Sequence, residues 1–218
     1  MITVNPHPSM VPSSLIEAYQ KIPAANLGHF LDTALDPGIQ ALFRPIKLVG
    51  TALTVQTTQD NMSAIRKAVE IAQPGDVLVI DRAGEMRHAV MGDYGVHGWI
   101  EKGIAGMVVD GLVTDRDGLE RLKFPVFSRG VVAQLPKGQG PVAGGVNVPV
   151  VVGSVTVNPG DLVLGDENGV IVASVKDAEA QLEAAIELGQ WEVWALAQVA
   201  NGRPFAEVAK DRKVWKDR

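Results

Sequence analysis

The chain has 218 residues, 23.2 kDa, 46% hydrophobic residues and a mean hydropathy of +0.12, ordinary values for a globular protein that give no indication of disorder and allow one sizeable core. We expect a single domain over residues 1–218. A net charge of −5 and a pI near 5.4 argue against a nucleic-acid partner, since phosphate binding needs a basic face. The absence of cysteine excludes disulfides, thiolate metal sites and cysteine nucleophiles, so any chemistry must use oxygen and nitrogen groups. No apolar run reaches the roughly 18 to 20 residues that cross a bilayer, and MITVNPHPSMVPSS lacks the basic and apolar regions of a signal peptide. The expectation is a cytoplasmic protein without a membrane partner.

In chain order, residues 14–22 (SLIEAYQKI) carry a Ser cap and helical apolar spacing, and the helix should stop before Pro23. A second short helix is expected over residues 26–34. KLVGTALTVQTT, with its alternating Val and Thr, predicts a strand; NMSAIRKAVEIA, opening at Asp60–Asn61 and closed by Pro74–Gly75, predicts a helix. DVLVID predicts the next strand. A loop containing Arg82 to Arg87 follows, then a helix from about Tyr94 to Lys102 and the strand GMVVD. The β, α, β, α, β order predicts a layered α/β core.

The second half should be mainly β: FPVFSRGVVA, NVPVVVGSVTV, DLVLGD and GVIVAS are short apolar runs separated by Pro, Gly, Asn and Asp. PGD at 74–76 and again at 159–161 marks turns before strands. From about Val175 a helical extension begins, with apolar residues at 182, 185, 186, 193, 196 and 197. Trp191 and Trp194 are expected in the core or against a neighbouring subunit. The terminal KDRKVWKDR reads as a solvated basic tail or helix end.

The most informative stretch is GDYGVHGWIEKGIAGMVVDGLVTD, residues 92–115. Asp93 sits in a Gly-Asp turn, and Asp115 lies just past a buried strand that ends in a DG turn. Two carboxylates on neighbouring loop ends can hold a hard divalent cation or share a proton, although each could instead cap a helix. Asp110 and Asp166 read as turn residues beside glycines. PVAGGVNVP lacks the Lys-Ser/Thr ending of a phosphate loop. His29 reads either as an acid, base or ligand or as a helix-end or core histidine; His88 and His97 flank the motif without the spacing of a metal-ligand pair.

The ordered series LVGTALTV, DN before a helix, PGDVLVID, MGDYG, KGIAGMVVDG, FPVFSRG and VNPGDLVLGDENGV resembles the RraA-like family from about Leu15 to Ala173. Its best-known enzyme is 4-hydroxy-4-methyl-2-oxoglutarate aldolase. The resemblance implies an α/β fold of the swivelling β/β/α, phosphohistidine-domain-like kind. It also implies a small-molecule substrate and a homotrimer or homohexamer with the site at a subunit interface. Asp93 and Asp115 match the catalytic acids, Asp115 as anchor for Mg²⁺ or Mn²⁺. Gly92 and the amides of Tyr94 and Gly95 match the segment that holds the pyruvate unit.

The family's Arg-Asp pair after the DG turn is not kept, because Thr114 stands before Asp115. Replacing a guanidinium by a neutral hydroxyl in a buried site costs about 2 to 4 kcal/mol of charge-assisted binding. Thr114 and Arg116 are therefore expected to shape substrate binding, with Arg82 and Arg87 as further candidate cations. The expected activity is that of a metal-dependent lyase on a small oxo acid, through retro-aldol cleavage or β-decarboxylation. The alternatives are a regulator that binds a protein partner without catalysis, and a different metal-assisted reaction such as hydrolysis. Glu187 or Glu192 of a neighbouring C-terminal helix are weak candidates to complete the pocket. No Gly-rich nucleotide loop supports S-adenosylmethionine binding.

Overall fold

The computed structural model describes residues 1–57, 61–138 and 140–212. It opens with β1 (Ile2–Val4), α1 (Ser13–Tyr19), α2 (Ala24–Leu27) and β2 (Gln40–Ala41). The alternating core follows as β3 (Leu48–Thr57), α3 (Ser63–Ile71), β4 (Asp76–Asp81), α4 (Asp93–Glu101), β5 (Gly106–Asp110), β6 (Leu112–Val113), α5 (Arg116–Arg121) and β7 (Val126–Ser128). Next come β8 (Gly130–Val131), β9 (Gly144–Val146), β10 (Val150–Val152), β11 (Val155–Val157), β12 (Leu162–Asp166) and β13 (Gly169–Ala173). The chain then turns helical in α6 (Val175–Ala200) and α7 (Phe205–Val208).

Strands β3, β4, β5 and β7 run parallel side by side, with Thr51 opposite Asp76 and Val77 opposite Gly106. They form the middle of a nine-stranded sheet among the described residues, in the order β1-β9-β3-β4-β5-β7-β2, with β12 joined to β3 and β13 to β12. Each step between the parallel strands is a crossover through α3, α4 or α5, and the right-handed rule places these helices on one face. The sequence alternation of β3 does not become a wet face, because every residue of the strand except Gln56 is buried. A parallel strand flanked on both sides has no solvated face. The β10–β11 hairpin adds Val150, Val152 and Val157 to the same core. This is an α/β architecture of the swivelling β/β/α kind.

A second apolar cluster joins α1, α2 and α6 to β12 and β13 through Leu15, Tyr19, Leu27, Leu164 and Ala185. The Tyr19 hydroxyl donates to the Ala178 carbonyl at 2.8 Å, and burial pushes its pKa up to about 12. His7, which the sequence did not single out, ties the N-terminal arm to the fully buried Asp76 through Nε2 at 2.8 Å.

Several expectations are corrected here. Helix α1 begins at Ser13 with Pro12 at its N-cap and no side-chain cap, so Ser14 is not the cap. The second helix is the four residues of α2, earlier and shorter than 26–34. Asn61 Oδ1 accepts from the Ser63 amide at 2.9 Å at the start of α3, while Asp60 lies outside the described residues. Within α6 the buried seam is Ala178, Ala185, Leu188 and Ala195, leaving Val193 72% and Leu196 70% exposed. Neither tryptophan joins the two buried clusters: Trp191 is half-buried with the Arg212 guanidinium 5.1 Å from its ring, and Trp194 is exposed with the Arg203 guanidinium 5.9 Å from its ring. Residues 213–218 of the basic tail lie outside the described residues. Among the described residues no helix is long and apolar enough to cross a membrane.

Candidate active site

The two acids meet where the chain leaves the neighbouring strands β4 and β5, at the carboxyl ends of the sheet where open α/β proteins place their sites. Residues 89–91 run beside 112–114. Ala89 bridges Leu112 in parallel, the Val90 amide donates to the Leu112 carbonyl at 2.7 Å, and the Thr114 amide donates to the Met91 carbonyl at 3.0 Å. This pairing sets Gly92–Asp93 against Thr114–Asp115. The Asp93 amide, at the start of α4, donates to Asp115 Oδ2 at 3.3 Å; the Thr114 hydroxyl approaches Oδ1 at the same distance.

Two glycines make this approach possible. At Gly92 a methyl group would overlap the Asp115 carboxylate, and at Gly118 in α5 it would overlap the Asp93 carboxylate. Each acid therefore rests on a glycine of the other's segment. Gly92 is in ordinary extended conformation (φ −123°, ψ −176°), so the demand there is for space and not for backbone freedom. Asp115 has φ 53° and ψ 43°, a left-handed conformation that Asp tolerates better than most residues. Asp93 is half-buried and Asp115 is exposed.

Tyr94, next in sequence to Asp93, is 90% exposed. Gly95 backs onto the Met91 thioether with no room for a side chain. As first-turn residues of α4, Tyr94 and Gly95 have amides without an acceptor inside the helix. Thr114 is buried, its methyl facing Gly92 and its hydroxyl facing Asp115. Arg116 is exposed and lines a separate hollow of about 280 Å³ with Ser128 and Arg129. A larger cavity of about 570 Å³ lies on the α3 side of α4, between Met62, Ile65, Val69, Met91 and Trp99, and not at the acids.

The remaining candidates are dispersed. His29 is exposed after α2 beside the Phe30 ring, His97 is exposed on α4, and His88 turns to Glu85. No hydrogen bond joins any of the three to Asp93 or Asp115 among the described residues. Asp110 does more than shape a turn: it accepts from Arg129 Nε and, at 2.8 Å, from the Gly153 amide. Asp166 does serve its turn, accepting from the Asn168 amide at 2.9 Å, and also holds the Ala24 amide at the start of α2.

Two residues of this region escaped sequence reasoning. Gly118 had a legible signal, since a glycine inside a helical run costs about 1 kcal/mol against alanine and needs a reason. Glu85 had none, because EMRH reads as a polar loop. In the structure its side chain is 8% exposed and pairs with the fully buried Arg82, whose Nη1 also meets Met62 Sδ at 3.5 Å. Burial pushes the Glu85 carboxyl up, but the Arg87 amide, the His88 ring and amide, and the Arg82 guanidinium outweigh it and leave it below its ordinary value. Arg87 is exposed and enters this network through its amide alone.

No group of three or more His, Cys, Asp or Glu side chains gathers at metal-binding distance among the described residues. A zinc site with three or four protein ligands does not match that donor set. A small hard cation does, because Mg²⁺ commonly takes one or two carboxylates and completes its shell with water. Asp115, exposed and oxygen-only, could hold such a cation, with the Asp93 amide at its Oδ2.

The sequence matches the family described as RraA-like (Aldolase/RraA) over residues 16–172. It is 38% identical over 172 residues to a Halalkalibacterium halodurans protein named "Putative 4-hydroxy-4-methyl-2-oxoglutarate aldolase", covering 78% of this chain and 81% of that protein. Among solved structures, it superposes on an uncharacterized protein of Pseudomonas syringae with a TM-score of 0.79 at 26% identity, over 93% of this chain and all of the other. It also superposes on Streptomyces coelicolor RraAS2, described as an unusual member of the RNase ES inhibitor RraA protein family. That match has a TM-score of 0.76 at 28% identity, over 86% of this chain and 98% of RraAS2.

Proposed function

Because the chain belongs to the RraA-like family, we propose that it is a divalent-metal-dependent lyase that breaks a carbon–carbon bond in a small oxo acid, by retro-aldol cleavage or β-decarboxylation. The observation that carries this reading is the reciprocal seating of Asp93 and Asp115, each against a glycine of the other's segment. In both reactions the bonding electron pair stays on the oxo-acid fragment as an enolate, which must then take up a proton. Mg²⁺ or Mn²⁺ held at Asp115 would supply the Lewis acid that polarises the oxo group. The Tyr94 and Gly95 amides, at the positive end of α4, would hold the substrate carboxylate. Asp93, half-buried beside them, would hold and return a proton.

Thr114 changes what the site can select. Its methyl and hydroxyl are both turned inward, so the position offers no cation to a second anionic group of the substrate. We therefore expect a substrate less dependent on a second carboxylate. A second reading, a regulator that binds a protein partner, draws on the same absent guanidinium and on the likeness to RraAS2.

The test is pyruvate release from oxaloacetate and from a panel of 4-hydroxy-2-oxo acids, with Mg²⁺ or Mn²⁺ and again with EDTA. Turnover that needs the metal and drops at least about a hundredfold in Asp115→Ala supports the lyase. Absence of turnover across the panel, unrestored by Thr114→Arg, turns the assignment to the regulator or to another reaction on the scaffold.

A further inference from the structure

Glu85 accepts four hydrogen bonds, an unusual load for one side chain in a loop. Oε1 takes the Arg87 amide at 2.9 Å and the His88 Nδ1 at 3.0 Å; Oε2 takes the His88 amide at 3.1 Å and the Arg82 guanidinium. The Glu85 amide in turn donates to the Arg82 carbonyl at 3.1 Å, closing the turn. Arg82 is wholly buried, and its stem packs so closely on Gly111 that a methyl there would come within 2.8 Å of Arg82 Cγ. The clamp thus touches both chain segments that carry the acids: residues 82–88, which lead to Asp93, and the DG turn, which leads to Asp115.

Directly beyond the clamp the two segments zip together. Ala89 bridges Leu112, the Val90 amide donates to the Leu112 carbonyl and the Thr114 amide to the Met91 carbonyl, after which Gly92 meets the Asp115 carboxylate. Nothing in this path is slack: a shift of residues 89–91 along 112–114 would press Gly92 into Asp115 or part the Asp93 amide from Oδ2.

We propose that Glu85 is a positioning residue, which fixes the separation of Asp93 and Asp115 by clamping residues 82–88 onto Arg82 and the DG turn. The catalytic consequence rests on the lyase reading above, whereas the structural consequence does not. Glu85 touches no reacting atom. A carboxylate is needed because all four partners are donors, and an amide would turn its own N–H groups toward some of them.

The experiment compares wild type with Glu85→Gln and the milder Glu85→Asp, which keeps the charge if Glu85→Gln folds poorly. Residue-resolved amide hydrogen exchange is read at Val90, Asp93 and Thr114, with Val79 and Val108 of the buried strands as internal references. We expect exchange at the first three to quicken about tenfold or more while the references stay unchanged. In the pyruvate-release assay kcat should fall about 30- to 100-fold, with KM within about threefold and partial recovery in Glu85→Asp. Unchanged exchange at the three amides, or unchanged kcat in a folded variant of an active wild type, overturns the proposal. If the wild type releases no pyruvate, the lyase reading fails by itself, and the exchange pattern alone decides whether Glu85 sets the acids.

Discussion

Gly92 and Gly118 decide at single-residue scale whether the two acids can lie side by side. Gly118→Ala is the more telling substitution, because alanine favours the helix by about 1 kcal/mol while its methyl displaces the Asp93 carboxylate. The gain in helix propensity and the cost of overlap oppose each other, so urea-denaturation stability should move by less than about 1.5 kcal/mol. Activity has no such compensation. The kcat for pyruvate release should drop about a hundredfold, since a displacement near 1 Å at a reacting group is enough for that. Activity within threefold of wild type would mean that Asp93 does not act from its seat on Gly118. That Asp93 and Asp115 end neighbouring segments was legible in the sequence, because a Gly-Asp turn and a post-strand Asp carry local signals. Their mutual seating was not, because it depends on two glycines 26 residues apart in the sequence, Gly92 and Gly118, meeting opposite partners.

The loop between β4 and α4 acts as one element whose stability has a pH dependence of definite sign. Glu85 is held below its ordinary value of 4.5 in the folded state, so the unfolded chain binds its proton more readily. The stabilisation is therefore fully present above the unfolded value and is lost as pH falls through the lower folded one. Urea midpoints measured from pH 7 down to the acid limb should show wild type losing stability more steeply than Glu85→Gln, with the two curves converging at the lowest pH. Parallel curves would show that Glu85 contributes nothing to acid sensitivity. Element existence was largely readable beforehand: β3, α3, β4, α4 and β5 all lie where periodicity and Pro-Gly punctuation place them. What could not be read was the clamp between elements. EMRH has no period, and the buried Arg82 that Glu85 pairs with packs its stem on Gly111, a residue distant in sequence.

At the scale of the whole molecule, α6 presents apolar side chains that stand exposed among the described residues. Its buried residues are Ala178, Ala185, Leu188 and Ala195, of which Ala178 and Ala185 join the second core with α1 and α2, while Val193 and Leu196 are exposed. With Trp194 at 40% exposure and Phe205 at 74%, these residues place large apolar side chains on the last turns of α6 and on α7. Scattered apolar residues on a surface need no explanation, but a cluster on one helical segment marks a contact. The resemblance to the family implied a trimer or hexamer, and a contact between unlike faces closes three copies into a ring. Light scattering on the full chain should give a mass of three or six copies of 23.2 kDa. Val193→Glu combined with Leu196→Glu should lower that mass, because two carboxylates would be buried without partners in any assembly that uses this face. The double variant should keep the wild-type far-UV spectrum, since both positions are exposed within one chain and contribute little to its core. An unchanged mass in the double variant would place the contact elsewhere on the molecule, and a monomeric wild type would remove the need for one.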